Sequence, residues 1–353
     1  MFANRGASVP AIPSISAGKA PTCLTMLLLG LGSTTADAHT YQLIDVDVPC
    51  AISTSAVSID NAGIITGSWL DENGAEHGFI RATNGAFTAF DVPGATATIP
   101  VSLNGNATVV GVYEDANGNY SGFTRSSNQT ITTFEINGYP NSGTYPTAIN
   151  SKLGITGSYQ TGNTSHGFVI SPGGTVATFD PAGSKLTNPA GIDNGGEIAG
   201  DYADDSFVYH GFFRSRNGRM KAFDPAGSAD TFVFSINREG AIVGRYADAG
   251  GVNHAYIRSP NGSFVVFEAP DAGKHDGQGT VAASINRSGE TAGSFVDAKG
   301  RQHGFLREAD GTVRSIDPAG SASTAPVAIN DGGAVTGSWL DGNGVSHGFL
   351  LNR

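Results

Sequence analysis

The stretch DNAGIITGSWLDENGAEHGFIRATNGAFTAFDV, residues 60–92, decides the fold, because the rest of the chain repeats it. An echo, NDGGAVTGSWLDGNGVSHGFL, occupies residues 330–350. Within the first copy, short β-branched and aromatic runs alternate with Gly/Asn/Asp turn clusters, the pattern of strands joined by tight hairpins. The strands read as Ala56 to Ile59, Ile64 to Trp69, His77 to Arg81 and Phe87 to Val92. No window shows a sustained 3.6-residue apolar period, so helix is expected to be nearly absent.

Working outward, the glycine of the second strand recurs as Gly67, Gly111, Gly157, Gly200, Gly244, Gly293 and Gly337, at spacings of 44, 46, 43, 44, 49 and 44 residues. Seven positions before each stands an Asx residue, and two after each stands an aromatic: Trp69, Tyr113, Tyr159, Tyr202, Tyr246, Phe295 and Trp339. A His-Gly-Phe triplet begins at His77, His166, His210, His303 and His347; His254-Ala255-Tyr256 varies it and Ser121-Gly122-Phe123 lacks the histidine. Carboxylates of the fourth strand are Asp47, Asp91, Glu135, Asp180, Asp224, Glu268 and Asp317.

A lone four-stranded sheet leaves two apolar faces wet, so such units stack on one another. Seven units of about 44 residues match the ~40 to 45 residues of a four-stranded propeller blade. The expected fold is therefore all-β: a seven-bladed β-propeller of four-stranded antiparallel blades. Tyr41 to Val48 repeats a fourth strand, while the chain stops just after a third. The N-terminal strand should complete the last blade and remove its open edge. Prolines close the fourth strands, which places those strands outermost.

The 353 residues are 39% hydrophobic and only 14% charged, with 50 Gly and 16 Pro. That composition excludes coiled coils, helical bundles and charged disordered tails. Residues 1–38 read as a signal peptide: Arg5 and Lys19, the apolar run Cys23 to Gly32, then Ala36-Asp37-Ala38 as a cleavage site. Residues 39–353 are then one propeller domain, secreted or periplasmic. Losing two bases and one acid leaves 18 basic against 30 acidic residues, a net charge of −12. Nucleic acid and anionic membrane are not expected partners of so acidic a chain. Cys50 remains alone, so no internal disulfide is expected, and the protein is expected to be a monomer.

The His-Gly-Phe and His-Ala-Tyr triplets, the Asn-x-x-Gly turn and the Gly-x-aromatic strand resemble the HAF-type extracellular repeat of bacteria. The resemblance covers residues 41 to 353. It implies an exported repeat protein and brings no established activity with it.

A residue repeated in every blade is expected to hold the blade. The histidines should bridge strands, the outer carboxylates should bond turn amides, and the aromatics after the glycines should wedge between blades. Trp69 and Trp339, the largest, remain candidates for stacking a ligand. The turns at Asp71, Asp115 and Asp341 resemble calcium loops but lack the full ligand series, so hairpin chemistry is expected there and calcium is the alternative. No other cofactor and no metal site are expected.

Departures from the repeat carry more information. The connections Asn137 to Tyr145 and Asp271 to Gly279 are lengthened, and both point to one face. The second holds His275 and Asp276, with His275 able to exchange protons near neutral pH. Asp201 and Arg245 follow the landmark glycines of adjacent blades, where an ion pair or a polar ligand anchor is expected, with Lys185 adding positive charge nearby. Two functions follow. One is a binding module for a glycan, peptide or partner protein. The other is a polysaccharide lyase or hydrolase with His275 transferring protons, Tyr139 or Tyr145 as second acid or base, and Arg245 with Lys185 neutralising a carboxylate. Zinc-protease, hydrolase-elbow and phosphate-loop motifs are absent.

Overall fold

The computed structural model describes residues 41–136 and 143–353. These residues form 28 β-strands and no helix, and none of them belongs to a helix long and apolar enough to cross a membrane. The strands run as consecutive four-stranded antiparallel meanders. The first unit comprises β2 (Ser53–Ile59), β3 (Ile65–Leu70), β4 (Glu76–Arg81) and β5 (Phe87–Phe90). The second comprises β6 (Ala97–Leu103), β7 (Val109–Glu114), β8 (Tyr120–Arg125) and β9 (Ile131–Phe134). In the third are β10 (Thr144–Ile149), β11 (Ile155–Thr161), β12 (Thr164–Ile170) and β13 (Val176–Phe179). The fourth holds β14 (Leu186–Ile192), β15 (Ile198–Ala203), β16 (Tyr209–Arg214) and β17 (Met220–Phe223). The fifth holds β18 (Asp230–Ile236), β19 (Ile242–Ala247), β20 (Asn253–Arg258) and β21 (Phe264–Phe267). The sixth is β22 (Gly279–Ile285), β23 (Thr291–Val296), β24 (Gln302–Arg307) and β25 (Val313–Ile316). The last three strands, β26 (Ser323–Ile329), β27 (Val335–Leu340) and β28 (Ser346–Asn352), take their fourth from the front of the chain: β1 (Gln42–Asp45) pairs antiparallel with β28, Leu43 opposite Leu351.

The units are not wholly separate sheets. A single parallel pair, Glu76 with Ala97, Ser165 with Leu186 or Asn253 with Gly279, joins successive units into three eight-stranded sheets. Each such pair lies where a third strand starts beside the next unit's first strand, and the fourth strand branches off as an edge.

The glycines and the triplet explain one another. A Cβ on Gly67 would lie 1.9 Å from the Ser55 carbonyl oxygen and 2.8 Å from the Phe79 ring. The second strand therefore passes so close to a bulge of the first, between Ala56 and Ser58, that only glycine fits. Phe79, fully buried, fills the space that this glycine leaves. One residue earlier, Gly78 makes room for the fourth-strand Phe90, whose ring would lie 2.7 Å from a Cβ there. Each triplet thus carries a bonding residue, a gap and a core plug in succession.

Units are tied to their neighbours by three recurring contacts. Arginines ending the third strands lie over the fourth-strand phenylalanine of the preceding unit, Arg125 over Phe90 at 4.8 Å and Arg258 over Phe223 at 4.6 Å. Four first-strand threonines, Thr54, Thr98, Thr144 and Thr280, accept an amide from the preceding unit, Thr98 from Val92 at 3.0 Å. The buried Asx residues between first and second strands form a chain of side-chain hydrogen bonds. Asn104 Nδ2 donates to the Asn150 carbonyl (3.0 Å), Asn150 to Asp193 (2.7 Å), Asn237 to Asn286 (2.9 Å) and Asn286 to Asn330 (3.1 Å). Asn330 then donates to the Asp60 carbonyl at 3.0 Å, from the last unit to the first.

Val46 follows β1 and is fully buried with Ala56, Ile65, Phe79 and Leu350, so the N-terminal segment helps fill the core of the first unit. Val46→Asp would place an unpaired charge there. Chemical denaturation should show a loss of at least about 3 kcal/mol, and an unchanged midpoint would contradict this packing.

Candidate functional site

The triplet histidines stand on the third strand, two residues before the buried phenylalanine, and turn toward the outer carboxylate. His77 Nδ1 lies 2.9 Å from Asp91, His166 2.7 Å from Asp180, His210 2.8 Å from Asp224 and His254 2.6 Å from Glu268. His303 meets Asp317 at 2.7 Å and His347 meets Asp47 at 2.8 Å, while Ser121 donates to Glu135 at 3.0 Å in the unit without histidine. The carboxylate is therefore a partner of the histidine in its own unit, where the sequence suggested turn amides. Its second oxygen accepts a threonine of the next unit in two places, Thr187 on Asp180 (2.6 Å) and Thr280 on Glu268 (2.7 Å).

The aromatics after the landmark glycines pack into cores shared with the preceding unit, as expected: Tyr246 meets Ala199 and Phe223, Tyr159 meets Val110 and Ile136, and Trp69 joins the cluster of Val46 and Leu350. Six of the seven also lie on the imidazole of their own unit, Tyr113 standing opposite Ser121 instead, because strand register sets Trp69 opposite His77 and Trp339 opposite His347. The ring centroids are 4.7 Å and 4.5 Å apart. One face of each indole is thus already covered by a histidine. The Asp71 turn uses Oδ1 to accept the amides of Asn73 and Ala75, both at 2.8 Å, and Oδ2 to accept the Asn73 side chain. This is hairpin chemistry, and the turns at Asp115 and Asp341 repeat it. Among the described residues no three His, Cys, Asp or Glu side chains are grouped to hold a metal.

Antiparallel meanders put the Asx turns at one end of every unit, and the second turns with the connections between units at the other. A cavity of about 210 Å³ opens at the Asx end, lined by Asp60, Asn104, Asn150, Asp193 and Arg238. The sequence had directed attention to the opposite, loop-bearing end.

At that end the candidates lie on different units. Tyr139 falls outside the described residues. Tyr145 sits on β10 with its ring 5.9 Å from Tyr120 of the second unit, and burial raises its phenol. His275 and Asp276 are exposed on the long connection, which is pinned to the fifth unit by Gly277 N to Gly251 O (3.0 Å) and to the sixth by Gly273 N to Val296 O (2.8 Å). No hydrogen bond, ion pair or ring contact joins His275, Tyr145, Lys185 and Arg245 to one another.

Asp201 and Arg245 do not form the expected ion pair. Asp201 is buried and accepts Asn188 Nδ2 (3.0 Å) and the Val233 amide (3.1 Å). Burial pushes its carboxyl up to about 6, against weaker opposing effects of those bonds and of Arg245. Arg245 instead lies 4.1 Å over the Phe232 ring and donates to Asn253. Hydrogen bonds from Asn188 and from Val233 of the fifth unit serve the carboxylate directly, and Arg245 acts on it only as a nearby charge.

Sequence reasoning passed over Phe207. It occupies the turn position held by Gly74, Gly118, Gly251, Gly300 and Gly344 in other units, at a φ of +60°, and is 58% exposed. A bulky residue in the left-handed region is a costly outlier. Lys185 Nζ stands 5.1 Å from its ring centroid and 3.6 Å from Asp205. Leu153 is a second exposed apolar residue at positive φ, on the cavity end, but without a charged partner on its side chain. Aligning turn glycines across the repeat would have exposed both.

No family model matches the chain, and no curated protein matches it. Among solved structures it is similar to puromycin hydrolase (TM-score 0.58, 10% identity, 84% of this chain and 52% of that one). It is also similar to a mutant of that protein complexed with PGG (TM-score 0.57, 9% identity, the same coverages). A lectin from Burkholderia pseudomallei aligns with a TM-score of 0.48 and 11% identity, over 86% of this chain and 98% of that one. The chain spans about half the length of the two puromycin hydrolase chains. These neighbours are β-propeller-like folds, and at such identities the likeness is one of fold.

Folding raises the His347 imidazole above its ordinary value, chiefly through the hydrogen bond to Asp47. That contribution to stability is complete below the unfolded pKa of about 6.5 and fades as pH rises through the raised folded value. Asp47→Asn should lower the His347 pKa in an NMR titration. It should also narrow the stability difference between about pH 5.5 and pH 8.5. An unmoved His347 titration would show that the contact does not govern the proton.

Proposed function

We propose that residues 39–353 form one exported, closed seven-bladed propeller that acts as a binding module and takes its ligand on the loop-bearing end, at Phe207. The signal-like residues 1–38 and the likeness to HAF-type extracellular repeats support export. The pairing of β1 with β28 and the Asn330 to Asp60 bond support closure. The net charge of −12 after removal of residues 1–38 argues against nucleic acid and anionic membrane.

One observation carries the binding reading: an exposed phenylalanine kept at a glycine position against backbone preference, with a lysine on its ring. Strain at an exposed residue persists where the residue serves something other than stability. An aromatic flanked by Lys185 and Asp205 offers an apolar face with both charges at its edge, suited to a glycan or a peptide. The lyase or hydrolase reading has no comparable support, since no contact joins His275, Tyr145, Lys185 and Arg245.

Phe207→Gly tests both halves of this reading. The variant should be more stable by about 1 kcal/mol, because glycine relieves the left-handed strain. It should also lose at least about tenfold in affinity for whichever immobilised glycan or peptide retains the wild type. Unchanged stability together with unchanged retention would place the ligand elsewhere.

A further inference from the structure

At four junctions between units a stacked pair fills the space beside the outer strands, an arginine ending one third strand lying over the fourth-strand phenylalanine of the preceding unit. Arg125 stands 4.8 Å from the Phe90 ring centroid, Arg214 4.8 Å from Phe179, Arg258 4.6 Å from Phe223 and Arg307 4.9 Å from Phe267. The junction of the second and third units keeps Phe134 but has Ile170 in the arginine position, and that of the seventh and first keeps Arg81 but has Val46 in the phenylalanine position. Between the sixth and seventh units both members are smaller. Ile316 holds the phenylalanine position there and Leu351 the arginine position.

The consequence is a cavity of about 180 Å³, walled by Leu306 and Ile316 of the sixth unit and by Leu43 and Leu351 of the seventh, together with Tyr41 and Arg314. Leu306, Ile316 and Leu351 are buried and belong to the core that the two units share. Side chains beside unfilled space forgo dispersion contacts that a ligand would restore. The charges nearby are already matched: Glu308 holds Arg353 at 2.5 Å and Arg314 at 3.6 Å, and Asp317 meets His303 at 2.7 Å. An ionic ligand would find no free partner, whereas an uncharged one leaves these pairs undisturbed.

We propose that this cavity binds an uncharged molecule with a single aromatic ring, in the place that arginine and phenylalanine fill at other junctions. Size agrees, since an apolar cavity of about 150 Å³ lined by aliphatic and aromatic side chains takes benzene. Shape agrees as well. The same space elsewhere holds two flat groups lying one over the other, so a planar ring suits it better than a puckered one. The walls come from both ends of the chain, because Leu43 and Leu351 are register partners on β1 and β28. Binding therefore requires the completed last unit and stabilises it. The site lies between the sixth and seventh units, apart from Phe207 on the fourth, and stands independently of the binding function proposed above.

The test is thermal unfolding of the purified protein with phenol as the probe, cyclohexanol as its puckered counterpart and benzoate as its charged one. At about ten times its dissociation constant, phenol should raise the midpoint by about 2 °C, and calorimetric titration should give one site per chain. Cyclohexanol and benzoate should each bind at least about tenfold more weakly, the first for its thickness and the second for its charge. Ile316→Phe with Leu351→Arg rebuilds the pair of the other junctions. That variant should unfold at or above the wild-type midpoint and no longer respond to phenol. Leu351→Phe places a ring in the same space and should also lose the response, which serves if the paired variant does not fold. Phe207→Gly should keep the full response. A wild-type midpoint indifferent to phenol, an undiminished response in the filled variants, or a response lost in Phe207→Gly would overturn the proposal. Cyclohexanol or benzoate binding as tightly as phenol would overturn the assignment to an uncharged aromatic ring.

Discussion

The first and last strands of the chain pair with each other, and the other units depend on that pairing. Every unit presents two apolar faces, and each needs a neighbour on both sides. A row of such units would end in two wet faces and an open edge, both of which favour association with other chains. Here β1 hydrogen-bonds along β28, Val46 enters the core of the first unit, and Asn330 donates across to Asp60. The sequence distance bridged is nearly the whole chain, so the entropy of closing that loop must be met by contacts summed over many units.

Inside each unit a division of labour runs along the third strand. Histidine reaches outward to a carboxylate, glycine admits the outer phenylalanine, and the following phenylalanine seals the space above the second-strand glycine. Because these roles fall on consecutive residues of a strand, the histidine and the phenylalanine share one face of the sheet and the glycine opens the other. This explains why the triplet recurs as a block and why Ser121 substitutes for histidine: a hydroxyl keeps the hydrogen bond to Glu135. Phe207 and Leu153, both exposed in the left-handed region where other units place glycine, depart from the repeat at a cost to the backbone.

Much of the architecture was legible because its signals are periodic. Strand positions followed from residue pattern and repeat spacing, the outermost place of the fourth strand from its closing prolines, and the pairing partner of Tyr41 to Val48 from its match to a fourth strand. Side-chain partners were not. Trp69 packs where the last and first units meet, as its place in the repeat suggested, but that register also sets it against His77 of its own sheet was not foreseen. Asp201 and Arg245 looked like an ion pair because they occupy matching positions, but Asp201 is served by the nearer Asn188 and Val233. Phe207 escaped notice because attention went to residues that react, whereas its signal is a conformational one, a bulky side chain where a turn requires glycine.

The central claim is that the two ends of the chain complete one blade, and a single cross-link addresses it most directly. Gln42 and Asn352 are register partners on β1 and β28, and opposed residues in an antiparallel pair lie within the Cα separation that a disulfide spans. With Cys50 changed to serine, Gln42→Cys and Asn352→Cys together should oxidise to an intramolecular disulfide that runs as a compact monomer on a non-reducing gel. Failure to cross-link, or cross-linking only between molecules, would contradict the closure.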